Sequence, residues 1–265
     1  MTSSPSVPSA PSGEAHETGS DVSPEPARGR SLYDLGQEGF VSPLTLVLVR
    51  HGVTDMTVTH ALSGSGEVGP SLNAAGRVQA AKAADAVYRI GRKDWDRVPH
   101  VSRVFASPMT RTQETGGAIG RRVGAHVETE DRVREVHFGQ WEGLTGAEIT
   151  QREPENMHLW GMGDHRAPGG ESLHDVGLRF DSFIVDAARE HASLAREGRD
   201  EARAWAVASH AVAIKSAVAI SMGMPVSSWS RMWPQPASMT LLQLRVREDG
   251  TIAERHLLAF GVPTH

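Results

Sequence analysis

The chain has 265 residues, a formal net charge of −5 and no cysteine. That length supports one large domain or two small ones with a sizeable core. The acidic balance disfavours general nucleic-acid or anionic-membrane binding. The missing cysteine excludes disulfides, Cys-ligated zinc, iron–sulfur clusters and thiol catalysis. No apolar run approaches the ~20 residues of a membrane span, and the N-terminus has neither the basic nor the apolar region of a secretory signal. The expectation is a cytoplasmic protein without cofactor, nucleic-acid partner or membrane contact; homo-oligomerisation is left open.

Residues 1–43 read as tail and linker. Met1 to Arg30 are dominated by Ser, Pro, Gly and acids and contain no Leu, Ile or aromatic residue, too little apolar surface to offset the entropy of ordering. Residues 31–43, with Leu32, Tyr33, Leu35 and Phe40, are read as the end of the linker rather than as a docked segment. The folded domain is expected over 44–265. LTLVLV (44–49) is a short β-branched apolar run, the pattern of a strand buried on both faces. A helix follows over 73–91 with Asn73 as its cap. Residues 101–107 read as a second strand, 110–124 as a helix and 126–129 as a short strand. Thr145 and Glu148 have capping-box spacing. Leu173, Val176, Phe180, Ile184 and Ala187 recur at helical spacing after Ser172. AWAVAS (204–209) is a third buried strand, followed by a helix over 211–222. Residues 238–246 and 251–258 flank Glu248-Asp249-Gly250 as a hairpin. Strands alternating with helices predict an α/β fold: three α/β/α layers, a mostly parallel central sheet and a helical or loop cap over the substrate. Such sheets bind ligands beyond the carboxyl ends of their strands.

Those ends carry polar chemistry. The first strand runs into Arg50-His51-Gly52 and the third into Ser209-His210. The strand 101–107 is followed by Arg111, and Glu135 comes soon after. Parallel strands would gather two imidazoles, two guanidiniums and one carboxylate on one edge. That set suits phosphoryl transfer without a metal. Guanidiniums bind phosphate oxygens through charge-assisted pairs. A neutral imidazole can attack phosphorus, and a carboxylic acid can protonate the departing alcohol and later deprotonate water. Gly52 would let the backbone approach the phosphate. The histidines show neither H-E-x-x-H nor another metal-ligand spacing, so no metal is expected. His158, His165 and His174 are read as surface or cap residues. Trp141, Trp160 and Met162 are candidates for the pocket wall or the core.

RHGVT (50–54) resembles the signature of the histidine phosphatase superfamily, the phosphoglycerate mutase-like proteins. LSGSG (62–66), SLNAAGRVQA (71–80), ASPMTRTQET (106–115), REVHFGQWEG (134–143), PGGES (168–172) and ASHAVAIK (208–215) are similar to further family segments in the same order. The wording is most similar to the α-ribazole phosphatase and acid phosphatase-type branch. The resemblance implies His51 as the phosphorylated nucleophile, Glu135 as acid and base, and His210 as a catalytic residue that binds the transferred phosphoryl group. It also implies phosphate binding by Arg50 and Arg111, with Ser63 giving a hydroxyl and Gly64 a backbone amide. Three positions depart from the family pattern: Val53 where an acid is common, Thr57 where Asn is common, and Ala211 where Gly is common. Glu142 competes with Glu135 for the acid role, with His137 behind it.

The implied function is a phosphomonoesterase acting on a small phosphorylated metabolite through a phosphohistidine. The alternatives are a phosphoglycerate mutase-type transferase and a non-catalytic phosphate-ligand sensor. The interval from Glu135 to His210 is short and contains no adjacent Arg pair for a mutase substrate. A sensor needs neither nucleophile nor acid. Specificity is expected in 53–72 and 136–171.

Overall fold

A computed structural model of the chain describes residues 39–264. The expectations for residues 1–38 lie outside the described residues. The strands are β1 (Leu44–Arg50), β2 (Val101–Ala106), β3 (Val127–Thr129), β4 (Arg203–Ser209), β5 (Met239–Val246) and β6 (Ile252–Val262). They form one mixed sheet in the order β3-β2-β4-β1-β5-β6. β1, β2, β3 and β4 pair in parallel, and β5 runs antiparallel to β1 and β6. The mostly parallel sheet expected from sequence is present.

The continuous apolar runs occur because both faces are covered. Leu46, Leu48, Trp205 and Val207 point into the core beneath α6 (Leu173–Arg196) and α7 (Ala211–Ser221). Val47, Val49, Ala204 and Ala206 point the other way, towards α2 (Ala74–Arg89) and α3 (Thr110–Val123). Period-two alternation of side chains divides one apolar strand between two cores.

The expected caps form. Asn73 Oδ1 accepts from Gly76 N at 2.9 Å. Thr145 and Glu148 make the capping box of α4 (Gly146–Arg152), and Ser172 and Asp175 that of α6. Two short helices escape the periodicity: α1 (Asp55–Val58) and α5 (Pro154–Gly161). Each spans one or two turns, too few for an apolar stripe to repeat. The second strand of the terminal hairpin continues to Val262, beyond the expected 258. Packing also begins before residue 44. Val41 is buried, its N–H donates to Val246 O at 3.0 Å, and Phe40 lies against the guanidiniums of Arg245 and Arg247. The end of the expected linker is therefore docked.

The chain leaves β1 for β2 on one side and leaves β4 for β5 on the other. The sheet's topological switch point falls between β1 and β4, where a crevice opens beyond their carboxyl ends. Among the described residues no helix is long and apolar enough to cross a membrane.

Candidate active site

Register brings the two histidines together. β1 and β4 pair with Arg50 opposite Ser209, so the next residues, His51 and His210, leave the sheet side by side. Their ring centroids lie 5.2 Å apart in an edge-on arrangement. The end of β2 is level with them: Ser107 N donates to Ala208 O, and Ser107 Oγ lies 2.8 Å from His210 Nε2.

His51 Nδ1 lies 2.7 Å from Gly52 O. A carbonyl can only accept, so Nδ1 carries the proton and Nε2 keeps its lone pair. Burial, then the charges of Arg111 and Arg50, hold the His51 imidazole well below its ordinary range. His210 is shifted the same way, first by burial and then by Arg111. Both rings are therefore neutral at pH 7.

Arg111 enters from the first turn of α3 and is 1% exposed. Its Nη2 donates to Ser63 O at 2.8 Å and Gly64 O at 3.1 Å. Burial, opposed in part by Glu135, lowers its pKa to about 10. Gly69, at φ +79°, makes room for it: a Cβ there would meet Arg111 Nη1 at 2.4 Å. Arg50 Nη1 donates to Pro234 O at 2.8 Å. Arg50 Nε, Arg111 Nη1 and His210 Nδ1 are buried without a protein partner. Buried polar atoms are rarely left so.

Glu135 reaches the same place from the segment before α4. Its Oε1 accepts from Val136 N and Ala213 N, both at 3.0 Å, and its Oε2 from Val212 N at 3.2 Å. The first turn of α7 thus supplies two of its otherwise unpaired N–H groups to this carboxylate. From α6, Arg179 donates to the backbone oxygens of Arg132, Arg134 and Glu135, and so fixes the segment.

A cavity of about 490 Å³ opens over these groups. Arg50, His51, Ser63, Arg111 and Glu135 are on its wall. His210 is fully buried beside His51 and off the wall. Gly64 departs from its expected place. It is off the wall, its N–H donates to Glu142 Oε2 at 2.8 Å, and its carbonyl holds Arg111. Glu142 accepts from three backbone N–H groups, those of Gly64, Gly66 and Phe138, and is off the wall too. It braces the loop, and Glu135 alone of the two faces the cavity. Gly52 has a packing reason beyond the one expected: a Cβ would sit 2.4 Å from Gly76 O, where α2 crosses β1.

The departing positions are also accounted for. Thr57 lines the cavity, but its hydroxyl accepts from Thr54 N at 3.2 Å in the cap of α1. Val53 is off the wall and its N–H donates to Gln79 Oε1. Ala211 is on the wall. Trp160 lines the cavity, Trp141 is fully buried in the core, and Met162 lies in a separate groove with Leu159 and Val226. His174 Nδ1 lies 3.2 Å from Asp164 Oδ1, and His165 sits in that same groove. Among the described residues no group of three or more His, Asp or Glu is placed to hold a metal ion. Met56 and Leu62 from 53–72, and Phe138, Met157 and Trp160 from 136–171, form the apolar wall. The sequence reading missed Lys215 and Trp233, Gln235 and Pro236, which complete it. Lys215 sits inside an apolar helix pattern, and 233–236 has no periodicity to read.

Comparison with known proteins agrees with this geometry. The family described as histidine phosphatase superfamily (branch 1) matches residues 46–256. A glucosyl-3-phosphoglycerate phosphatase of Mycobacterium tuberculosis is 31% identical over 186 residues, covering 69% of this chain and 78% of the relative. Phosphoserine phosphatase 1 of Hydrogenobacter thermophilus is 25% identical over 225 residues, 83% of this chain and 97% of the relative. The native structure of a mycobacterial glucosyl-3-phosphoglycerate phosphatase superposes with a TM-score of 0.69 at 27% identity, covering 83% of this chain and 99% of the other. With the RHG segment at the end of β1, the sheet and the match along most of its length in agreement, the chain is a member of the histidine phosphatase superfamily, branch 1.

Proposed function

We propose that the protein is a metal-independent phosphomonoesterase that hydrolyses a small phosphorylated metabolite through a phosphohistidine on His51. The observation that carries this reading is the set of buried polar atoms around His51 that lack a protein partner. Arg50 Nε and Arg111 Nη1 are donors without acceptors, and both guanidinium charges act on an imidazole whose Nε2 is free. A phosphate monoester supplies the acceptors, and the two guanidiniums supply the charge that would otherwise require a metal.

In the first step His51 Nε2 attacks phosphorus, the P–O bond to the alcohol breaks, and Glu135 gives its proton to the departing oxygen. In the second, water attacks the phosphorus of phosphohistidine, Glu135 takes a proton from that water, the N–P bond breaks, and phosphate leaves with His51 neutral again. His210, neutral and edge-on to His51, keeps a second positive charge off the nucleophile. Glu135 Oε2 has one long backbone contact, so it is the oxygen available to the proton. Arg50 and Arg111 hold the phosphoryl oxygens, with Ser63 beside them on the wall. Relatives named as phosphatases for glucosyl-3-phosphoglycerate and phosphoserine, and related structures in complex with inorganic phosphate and with VO3, support the reading.

The test is an alkaline-quench experiment run in a chelator, since a phosphohistidine survives alkali and is lost in acid. Wild type should turn over an aryl phosphate and trap one acid-labile phosphate on His51, and His51→Ala should lose both. Label on another residue, or loss of turnover to the chelator with recovery on adding a divalent ion, overturns the proposal.

A further inference from the structure

Among the described residues three that are not glycine have a left-handed backbone: His60, Trp95 and Ala237. Of these Ala237, at φ +58°, is the buried one, 2% exposed. A Cβ crowds the following carbonyl in that region, and alanine has no polar side chain to compensate by a local hydrogen bond. Such a conformation persists where its surroundings over-determine it, and outliers of this kind cluster at functional sites.

The surroundings of Ala237 are the backbone of Arg50 and His51. Ala237 N donates to Arg50 O at 3.1 Å and to His51 O at 3.2 Å, and Arg50 N donates to Ser238 O at 3.1 Å. Arg50 Nη1 donates to Pro234 O at 2.8 Å. Arg50 is thus held through its N–H, its carbonyl and its guanidinium by one turn, 234–238. Ser238 closes that turn: its N and Oγ both donate to Gln235 O, at 3.1 and 2.7 Å. With Nη1 engaged by Pro234, the buried Nε of Arg50 keeps no protein partner. A guanidinium is a planar fork of fixed geometry, so the hold on one nitrogen decides where the others point.

The other side of the strained residue is held by a side chain. Thr264 is 8% exposed, and its Oγ1 donates to Ala237 O at 3.0 Å. The pairing of Val262 with Met239 brings it there. Arg50 and His51 therefore fix the peptide before the Ala237 Cα, and Thr264 fixes the peptide after it.

We propose that Thr264 is a positioning residue: it locks Ala237 in its left-handed conformation and so holds the 234–238 turn that aims the Arg50 guanidinium at the phosphoryl group. The inference rests on the phosphomonoesterase reading, in which Arg50 binds that group.

The test uses Thr264→Val, which keeps the shape and removes the hydroxyl, assayed well below its Tm. It should lose about tenfold or more in kcat/KM, about 1.4 kcal/mol. The loss should be equal for an n-alkyl phosphate and for nitrophenyl phosphate, because Arg50 meets the phosphoryl group common to both. Vanadate should inhibit correspondingly more weakly, and Thr264→Ser should restore both measures to within about threefold of wild type. Glycine takes positive φ without the Cβ clash, so the lock becomes redundant in an Ala237→Gly background. There Thr264→Val should cost about threefold or less. If Thr264→Val does not fold, the same variant carrying Ala237→Gly must fold and turn over; its failure overturns the lock. So does a loss short of about tenfold, unequal losses on the two substrates, unweakened vanadate inhibition, no restoration by Thr264→Ser, or a loss above about threefold in the Ala237→Gly background. No turnover of either substrate by wild type, with no label on His51, overturns the phosphatase reading itself.

Discussion

Each histidine at the sheet edge is defined by what surrounds its ring. His51 is neutral because it is buried among guanidiniums, and its tautomer is set by Gly52 O. Glu135 is defined by its reach: Glu142, seven positions later, has its carboxylate tied up in a loop brace. The acid role proposed for Glu135 should therefore depend on the leaving group. An alkoxide needs a proton in the transition state, whereas a nitrophenolate leaves unaided. General acid catalysis contributes ~10²–10⁴-fold where it is needed. Glu135→Gln should lower kcat/KM for an alkyl phosphate by about that factor and for nitrophenyl phosphate far less. Equal losses on both substrates would move the acid role elsewhere.

At the scale of elements, each site residue is held by a secondary-structure end rather than by a regular interior. β1 and β4 end level, α3 begins on Arg111, and α7 begins on Glu135. α6 adds Arg179, whose guanidinium fixes the carbonyls of 132–135, so the entry geometry of α6 bears on the site. Its start is set by Ser172, which accepts from Asp175 N at 3.0 Å and whose own N–H donates to Asp175 Oδ2 at 2.9 Å. Losing such a cap costs ~1 kcal/mol. Ser172→Ala should lower Tm by roughly 2–4 °C in a domain of this size, measured by a thermal scan. An unchanged Tm would mean that Asp175 and Arg166 hold the helix start unaided.

For the whole molecule, neutral buried histidines link stability to pH. His51, His191 and His210 all have lowered pKa values, burial being the largest cause in each. The unfolded chain takes up protons near 6.5 that the folded chain refuses. Stability therefore falls as pH drops through 6.5, by up to ~1.4 kcal/mol per unit for each histidine. The carboxylates held low by partners, such as Asp175 at about 2, lose their contribution only below about pH 4, outside this window. Urea unfolding should give a clearly lower free energy at pH 5 than at pH 7. Equal stability at the two values would show that the folded chain charges its histidines without cost.

Local pattern was enough for much of this protein. The β-branched runs, the helical repeat after Ser172 and the T-x-x-E and Asn caps all lie within a few residues of one another, the range over which period and capping chemistry act. The strand-terminal RHG and SH segments were legible because an alternating α/β pattern already implies a common carboxyl edge. What the sequence alone left open depends on which distant segments meet. The register that sets Arg50 opposite Ser209, the crossing that requires Gly52 and Gly76 together, and the capture of the Gly64 amide by Glu142 arise from long-range packing. So does the place of Lys215 on the cavity wall. Within its own helix it is one polar residue in an apolar run; only when the 233–236 segment folds over β1 does it become a buried charge facing a cavity.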